Sequence, residues 1–368
     1  MPGTKYRCGL YGGSFNPLHR GHVRSMMDAA SRCDRLVVVI SVGVARGEID
    51  ERIRYRWVYE VTRHLNVDIM LLHDDAPTKA DYDQEHWTAD AKEVLAFAGE
   101  PIDAVFCGDD YGTDSFWAKC YPDAELVIMA RSEVSSTAIR RDPLGHWEWL
   151  PGVVRPYYVK KVLLAGGEST GKSTLAASLA AYFGTTHVEE VGRELSERSG
   201  TDRLMLPGDF TEILLRHKLA EIDATQRANR VLFEDTDCLV TKFYLDFLDG
   251  TDKEGNQALA DAIAGLNHYD LVLFLEPDVP FVQDGDRSQV IASDRQRYSR
   301  QVRELYVAHG FGPVSIFGDY HSRFRQAVEL VEQLLAGTQF RPPPADATTP
   351  AVPAELRDYT GADERSRK

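Results

Sequence analysis

The amino-acid sequence predicts an α/β protein of two domains, each built around a parallel sheet. Apolar runs of strand length alternate with helical stretches along the 368 residues, a pattern typical of βαβ units. Two phosphate-binding motifs lie about a domain's length apart, GSFNPLHRGH at 13–22 and GGESTGKST at 166–174. We therefore predict a Rossmann-like domain over residues 1–150 and a P-loop domain over residues 151–337.

Within each predicted domain, strands and helices follow one another in βαβ order. The first domain has predicted strands at 6–11, 35–43, 67–72, 103–107 and 125–130, with helices near 20–32, 52–64, 87–98 and 137–141. The second has predicted strands near 160–166, 185–190, 230–235, 270–275 and 313–317. Ligands of such sheets bind at the carboxyl ends of the strands, where both phosphate motifs begin.

Two further segments differ in composition from the predicted domains. The connection near 143–158 is rich in aromatic residues and prolines rather than glycine and serine, which predicts a docked joint. After Gly337 the chain carries three prolines at 342–344, followed mainly by alanine, threonine, aspartate and proline. Because such a segment has little apolar surface to bury, residues 338–368 are predicted to form a disordered tail.

The second phosphate motif fits the P-loop pattern G-x-x-x-x-G-K-[ST] between an apolar strand and a helical stretch. Its glycines let backbone N–H groups turn toward phosphates at the start of a helix, whereas an ordinary glycine-rich turn is the alternative. Lys172 is predicted to contact the β and γ phosphates of ATP, and Ser173 to bind Mg²⁺. The predicted ATP-binding residues are Gly166, Gly167, Glu168, Ser169, Thr170, Gly171, Lys172, Ser173 and Thr174.

The first phosphate motif places two histidines, His19 and His22, at the start of a predicted helix. Residues three apart share a helix face, and an anion is favoured at the helix N-terminus. Imidazole N–H donors could there stabilise charge on an α-phosphate and its leaving pyrophosphate. The alternatives are two surface histidines or a zinc site, although no cluster of further zinc ligands follows.

The two motifs also resemble known sequence signatures. GSFNPLHRGH resembles the (H/T)xGH signature of the adenylyltransferase superfamily, and VSSTAIR at 134–140 is similar to that superfamily's second signature, I-S-[SG]-T-x-I-R. The segment 147–159, which leads into the P-loop, is similar to the NadR-type family, a nicotinamide-mononucleotide (NMN) adenylyltransferase fused to a ribosylnicotinamide kinase. This resemblance covers about residues 6–335.

For the first domain the resemblance implies an adenylyltransferase in which His19, His22 and Arg140 are catalytic. Trp87 aligns with a family tryptophan near the NMN pocket, and a core tryptophan is the alternative. A helix cap is a compatible alternative role for the Ser136–Thr137 pair. The implied ATP-binding residues are Gly12, Gly13, Ser14, Phe15, His19, His22, Gly108, Asp109, Ser136, Thr137 and Arg140.

For the second domain the resemblance implies a kinase in which Lys172 and Asp235 are catalytic and Ser173 with Asp235 binds Mg²⁺. Asp235 opens a D-T-D element like the family's. Val191 and Phe281 depart from aromatic family positions, which puts stacking on the nicotinamide ring in doubt. The implied residues of the nucleoside site are Glu190, Arg193 and Asp209. His217 is either a further residue of that site or a histidine with only a structural role in its helix. Arg287 and Arg295 are the implied residues of an ATP lid.

The predicted function is that of a bifunctional NAD-salvage enzyme, a Rossmann-like nucleotidyltransferase domain followed by a P-loop kinase domain. Its expected ligands are ATP, NMN, ribosylnicotinamide and NAD, with Mg²⁺ as cofactor. One alternative is a phosphopantetheine adenylyltransferase fused to a dephospho-coenzyme A kinase, which the W-E-W-L-P joint and the D-T-D strand disfavour. The other is a nucleotide sensor without turnover, which the intact phosphate motifs disfavour.

Composition indicates further expectations about location and partners. The formal charge of −15 and the pI of about 5.2 give no whole-chain basic surface for nucleic acid. The first strand at Tyr6 leaves no room for the family's helix-turn-helix domain, so DNA binding is not expected.

No apolar run approaches the roughly 18 residues of a membrane helix and no signal peptide is evident, so we expect a cytoplasmic protein without a membrane partner. A homo-oligomer is compatible with the sequence. Five cysteines without a C-x-x-C pair predict free thiols in a reducing compartment.

Overall fold

The structure of the protein is a computed structural model that divides into two compact units, residues 1–158 and 159–368. The boundary predicted between residues 150 and 151 lies shortly before this division, and the tail predicted over 338–368 lies outside the described residues. The described residues are 5–43, 48–74, 76, 81–109, 114–130, 132–199, 205–247, 253–283 and 287–337.

The first unit alternates strands and helices and ends in two 3-10 turns, Trp147–Trp149 and Arg155–Tyr157. Its elements are β1 (Tyr6–Gly13), α1 (Arg20–Arg32), β2 (Cys33–Gly43), α2 (Glu51–Thr62), β3 (Val67–Asp74), α3 (Gln84–Ala98), β4 (Ala104–Gly108), α4 (Phe116–Cys120), β5 (Glu125–Met129) and α5 (Ser136–Arg141). All neighbouring strands pair in parallel, in the order β3-β2-β1-β4-β5. The strand order reverses at β1, so the carboxyl ends of β1 and β4 form the crevice where α/β sheets bind ligands.

The second unit repeats the alternation around a second parallel sheet. Its elements are β6 (Lys160–Gly166), α6 (Lys172–Phe183), β7 (His187–Val188), α7 (Val191–Ser199), α8 (Pro207–Arg227), β8 (Val231–Asp235), α9 (Cys238–Phe247), α10 (Lys253–Leu266), β9 (Leu271–Leu275), α11 (Gln289–Ser293), α12 (Arg295–Ala308), β10 (Val314–Ile316) and α13 (Tyr320–Leu335). The strand order is β10-β9-β6-β8-β7. Here β6 is central, and the P-loop leaves its carboxyl end next to β8.

The predicted fold class is confirmed, because both sheets are parallel and each phosphate motif begins at the end of a central strand. Central strands such as β9 are apolar throughout because helices cover both faces of the sheet. The short helix α4 was not predicted, since five residues are too few to show a helical period. The strand predicted at 185–190 shortens to the two residues of β7, which pair with β8.

Helices on both faces of the second sheet close two apolar clusters, one with α6 and α13 and the other with α9, α10 and α12. The five cysteines are free thiols, four of them buried and Cys120 half-buried. In the described parts of the chain, no helix combines the length and the apolar character needed to cross a membrane.

Candidate nucleotide sites

The first phosphate loop, between β1 and α1, is held by a buried arginine of α2. The Arg54 guanidinium donates to the carbonyl oxygens of Ser14 at 2.7 Å and Ser41 at 3.0 Å. Its Nε donates to the carbonyl oxygen of Ile49 at 2.8 Å. Arg54 is 1% exposed and pairs with Glu48 at 3.1 Å. One side chain therefore joins the phosphate loop to the end of β2 and to the chain before α2.

The two predicted histidines lie at the amino end of α1, with His19 as its N-cap. The backbone N–H of His19 donates to Nδ1 of His22 at 3.4 Å, and the two rings stack with centroids 3.6 Å apart. Burial lowers the pKa of His19 to about 4. Burial, together with the nearby His19, lowers the pKa of His22 well below its usual value. Both imidazoles are therefore neutral at pH 7, and each has one N–H to donate.

The buried face of this histidine pair has unused hydrogen-bonding capacity. Nδ1 of His19 is buried and has no hydrogen-bond partner in the part of the chain that the structure describes. His22 packs edge-on against Phe15, with 5.1 Å between ring centroids. A polar atom that is buried without a partner is rare and costly, so its presence at a helix N-terminus indicates a binding site for an anion.

The second signature, on α5, contacts the first phosphate loop. Ser136 Oγ donates to the carbonyl oxygen of Pro17 at 3.1 Å, and Arg140 donates to the carbonyl oxygen of Asn16. Arg140 also donates to Thr137 Oγ1 at 3.2 Å. The two signatures, which are far apart in sequence, are therefore brought together by backbone carbonyls of the loop.

The cap of α5 corrects one alternative from the sequence. Ser135, and neither Ser136 nor Thr137, is the N-cap, because Ser135 Oγ accepts a hydrogen bond from the N–H of Ala138 at 3.2 Å. This leaves the Ser136 hydroxyl for the contact with the loop.

The loop predicted to hold nucleotide after β4 is described only at its start. Gly108 ends β4, and Asp109 follows it with an exposed side chain, while residues 110–113 lie outside the described residues. A Cβ atom placed on Gly108 would meet none of the described residues within 4 Å.

Trp87, predicted near the NMN pocket, is half-buried in an aromatic cluster between α3 and α4. Its ring centroid lies 5.5 Å from Tyr82, 5.5 Å from Phe116 and 4.8 Å from Trp117. Trp117 in turn lies so close to Gly12 that a Cβ atom there would be 2.8 Å from its ring. The cluster therefore adjoins the end of β1, where the first phosphate loop begins.

The second phosphate loop has the backbone that its glycines predict. Gly166 has φ +143° and Gly171 has φ +89°, conformations that residues other than glycine rarely adopt. A Cβ atom on Gly166 would lie 2.6 Å from the carbonyl oxygen of Leu275, and one on Gly171 would lie 2.6 Å from the ring of Tyr320. Both positions therefore require glycine for conformation and for space.

Three arginines from the C-terminal half of the unit bind this loop. Arg323, 1% exposed, donates to the carbonyl oxygen of Thr170, and Arg295 donates to that of Ser169 at 3.3 Å. Arg287 donates to Ser169 Oγ at 2.7 Å and lines the adjacent cavity, whereas Arg295 is not among the lining residues. The predicted arginine lid remains a prediction, because residues 284–286 of that segment lie outside the described residues.

A cavity of about 380 Å³ opens beside the P-loop. Lys172 lines it and donates from Nζ to the carbonyl oxygen of Gly167 at 2.9 Å. Of the predicted nucleoside residues, Glu190 and Arg193 line it as an ion pair at 3.6 Å, as does His217. Beyond the P-loop, the lining includes an apolar and aromatic set: Met205, Phe210, Ile213, Val240, Phe243, Tyr244, Ile291, Tyr298 and Val302.

Besides Arg295, three positions that the sequence singled out are not among the lining residues of this cavity. Asp209 is not among the lining residues, and its carboxylate accepts a hydrogen bond from the N–H of Leu206 at 2.7 Å, which caps the start of α8. Phe281 packs against the guanidinium groups of Arg287 and Arg295, at 6.0 Å and 5.4 Å from its ring centroid. Asp235, at the end of β8, is buried next to the P-loop but is also not among the lining residues.

The two aspartates of the D-T-D element differ in their contacts. The Ser173 hydroxyl lies near the Asp235 carboxylate and favours its ionised form, while Oδ1 of Asp235 is buried and unpartnered among the described residues. Burial, reinforced by the charge of Glu190, raises the pKa of Asp235 to about 6. Asp235 therefore retains an oxygen for a further ligand.

Asp237, in contrast, is saturated by donors from its own unit. Its Oδ1 accepts from the Tyr306 hydroxyl at 2.7 Å and from the N–H of Leu239 at 3.0 Å. Its Oδ2 accepts from the Tyr269 hydroxyl at 3.2 Å. Asp237 therefore fixes the start of α9 and the position of two tyrosines.

Sequence reasoning did not find Arg54, Arg323 or Ser135. The two arginines hold the phosphate loops through backbone carbonyls, which leave no side-chain pattern to recognise in the sequence. Ser135 could have been found, because a serine three residues before the backbone N–H that it caps is a recognised helix-start signal.

Comparison with known families matches each unit separately. Residues 10–142 match the family model described as cytidylyltransferase-like, and residues 161–323 match the model described as AAA domain. Together with the helix-start histidines and the P-loop cavity, these matches define the class of the protein: a nucleotidyltransferase domain followed by a P-loop domain.

Individual relatives are similar to both units at once. The chain is 29% identical over 352 residues to the trifunctional NAD biosynthesis/regulator protein NadR of Escherichia coli, covering 91% of this chain and 85% of that protein. It is 28% identical, with the same coverage, to NadR of Salmonella typhimurium. Over most of its length the chain is therefore similar to NadR proteins.

Solved structures share the fold. A crystal structure of NadR protein in complex with NR has a TM-score of 0.75 at 22% identity and covers 92% of this chain and 98% of that chain. A second, of NadR protein in complex with NAD and AMP-PNP, has a TM-score of 0.71 at 22% identity, with coverage of 92% and 99%.

Proposed function

We propose that the protein is a bifunctional NAD-salvage enzyme that makes NMN from ribosylnicotinamide and NAD from NMN. In the second unit, the 5′-hydroxyl oxygen of ribosylnicotinamide attacks the γ-phosphorus of ATP, and ADP leaves. In the first unit, a phosphate oxygen of NMN attacks the α-phosphorus of a second ATP, and pyrophosphate leaves. The observation that carries this proposal is the presence of two separate phosphate sites in a chain that is similar to NadR proteins over most of its length.

The kinase step is supported by the surroundings of the P-loop. The backbone N–H groups of the loop lie at the positive end of α6, and Lys172 adds its own positive charge there, so both can bind a triphosphate. The apolar and aromatic part of the cavity gives a flat nucleoside base a place to bind beside those phosphates. Because no covalent intermediate is needed, positioning and neutralisation of charge account for the catalysis.

Ser173 and Asp235 fit a magnesium ion. The unpartnered, buried Oδ1 of Asp235 beside the Ser173 hydroxyl is a pair of hard oxygen donors of the kind that Mg²⁺ binds. When bound, Mg²⁺ would neutralise negative charge on the β and γ phosphates of ATP. In the described residues no cluster of three or more histidine, cysteine or carboxylate groups offers a closed metal site, which agrees with a cation that substrate phosphates help to bind.

The adenylyl step is supported by the neutral histidine pair at the start of α1. Neutral imidazoles donate hydrogen bonds without bringing a full charge, so they can stabilise the additional negative charge that develops on the α-phosphate during attack. Arg140, held by the carbonyl oxygen of Asn16, brings a guanidinium to the same loop.

The proposal is tested by incubating the purified protein with ribosylnicotinamide, ATP and Mg²⁺ and following both products over time. We expect NMN to appear first and NAD and pyrophosphate to follow, and we expect NMN supplied directly to give NAD without a lag. Nucleotide binding without any product would instead support a sensor. Turnover of phosphopantetheine or dephospho-coenzyme A, with none of ribosylnicotinamide or NMN, would support the coenzyme A alternative.

Replacing Arg54 by lysine is expected to reduce adenylyl transfer and to leave the kinase step unchanged. One ammonium group cannot reach the three carbonyls that the guanidinium joins, and each lost bond from a charged donor costs about 1.5–3 kcal/mol. We expect a loss of roughly 10- to 100-fold in NAD formation from NMN and a melting temperature lowered by several degrees. The matched control is Arg52→Lys, an exposed arginine of the same helix, and an equal loss in that variant would refute a special role for Arg54.

A further inference from the structure

Glu168 belongs to the P-loop, but its carboxylate makes two contacts outside that loop. Oε1 accepts a hydrogen bond from the Tyr244 hydroxyl at 2.6 Å, and Oε2 accepts one from the backbone N–H of Ser288 at 3.1 Å. Tyr244 lies on α9, and Ser288 is the N-cap of α11, directly after Arg287. One side chain therefore links the phosphate loop to two other walls of the cavity.

These contacts involve the side chain of Glu168 and not the backbone N–H group through which a P-loop residue binds phosphate. A carboxylate next to a triphosphate repels it, and the repulsion is strong where water is excluded. Both carboxylate oxygens of Glu168 instead accept from donors on α9 and at the start of α11. The side chain is thus used to position other parts of the cavity.

Tyr244 is part of an aromatic wall. Its ring centroid lies 5.4 Å from that of Phe243, and Phe243 lies 6.3 Å from Tyr298. The ring of Tyr244 is held in two ways, by packing against Phe243 and by the hydrogen bond from its hydroxyl to the carboxylate of Glu168. A phenol that donates to a carboxylate is polarised toward the phenolate, and this makes the face of the ring more negative.

The basic side chains of the cavity have other contacts. Lys172 donates to the carbonyl oxygen of Gly167, and Arg287 donates to Ser169 Oγ, so both contact the phosphate loop. Arg193 pairs with Glu190 at 3.6 Å. The aromatic wall is therefore the part of the cavity whose electrostatics favour a cationic, flat ligand.

We propose that Glu168 is a positioning residue that orients and polarises Tyr244 for a nucleoside acceptor with a positively charged base. The proposal rests on the kinase function proposed above and adds the residue pair by which the cavity would favour its cationic substrate over a neutral nucleoside of the same shape. Glu168 itself takes no part in the transfer of the phosphoryl group.

The test compares Glu168→Gln, Tyr244→Phe and the double variant in the full-length protein. The substrates are ribosylnicotinamide and its reduced dihydropyridine form, which has nearly the same shape and no charge. We expect each single variant to raise KM for ribosylnicotinamide about 3- to 10-fold, with KM for ATP and for the reduced nucleoside changed less than about 2-fold. Because both substitutions remove one interaction, the double variant should be no worse than the more affected single variant.

Two matched control variants show whether the changes in KM are specific to Glu168 and Tyr244. Glu254→Gln and Tyr182→Phe alter exposed residues of the same unit outside the cavity and are expected to have no effect. Additive effects in the double variant, or an equal loss for the charged and the neutral nucleoside, would overturn the proposal.

Calorimetric binding of ribosylnicotinamide with a non-hydrolysable ATP analogue separates this proposal from the kinase function. If wild-type protein binds the nucleoside more tightly than Glu168→Gln does, the role of Glu168 is supported even without turnover. If the two proteins bind it equally while the wild type phosphorylates it, the kinase function stands and the role of Glu168 is wrong.

Discussion

Replacing Lys172 by alanine is expected to abolish phosphorylation of ribosylnicotinamide and to leave adenylyl transfer from ATP to NMN intact. Lys172 begins α6, lines the cavity beside the P-loop and brings a positive charge to the position proposed for the β and γ phosphates. Loss of one preorganised charge donor typically costs about 10²–10³ in rate, or about 3–4 kcal/mol. Transfer of label from γ-labelled ATP to the nucleoside measures the kinase step alone.

A lysine elsewhere in the same unit supplies the control for this variant. Lys253 begins α10 and is not among the residues that line the cavity, so Lys253→Ala is expected to retain both activities. If Lys172→Ala kept its kinase activity, the P-loop would not be the phosphoryl-transfer site. If it lost both activities while its melting temperature was unchanged, the two reactions would not use separate sites.

The features that the sequence predicted well are those in which residue type alone restricts the backbone. Gly166 and Gly171 were expected in the P-loop because its backbone N–H groups must turn toward phosphates, and in the structure both have positive φ and closely approached neighbours. The alternation of strands and helices could also be predicted from the sequence, because parallel strands that are covered on both faces appear as continuous apolar runs.

Features that depend on the direction of a side chain were less accessible. The sequence placed two aspartates in one D-T-D element, but only the fold shows that Asp237 is saturated by tyrosines whereas Asp235 retains a buried oxygen with no partner among the described residues. Glu168 stands inside a recognised motif, and nothing in the motif indicates that it turns toward Tyr244. Arg54 joins the phosphate loop to its surroundings through carbonyl oxygens that every residue possesses, so no pattern of side chains could indicate those contacts.

Replacing His22 by alanine is expected to have the reverse effect of the Lys172 variant: NAD formation from NMN is lost, and phosphorylation of ribosylnicotinamide is kept. His22 is a neutral donor at the N-terminus of α1, and its ring supports that of His19 at 3.6 Å between centroids. We expect a loss of roughly 10²–10³ in rate for the removed donor. Release of pyrophosphate from ATP and NMN measures this step, and His64→Ala, which removes an exposed histidine of the same unit, is the matched control.

Mixing the His22→Ala and Lys172→Ala proteins then tests whether the two sites work independently. Each variant retains the step that the other has lost, so NMN made by the His22→Ala protein can diffuse to the intact adenylyl site of the Lys172→Ala protein. We expect the mixture to convert ribosylnicotinamide to NAD, with a lag that shortens as protein concentration rises, because free NMN must accumulate before the second step reaches its full rate. A mixture that makes NMN but no NAD, although the Lys172→Ala protein alone converts added NMN, would show that NMN is not released between the two steps.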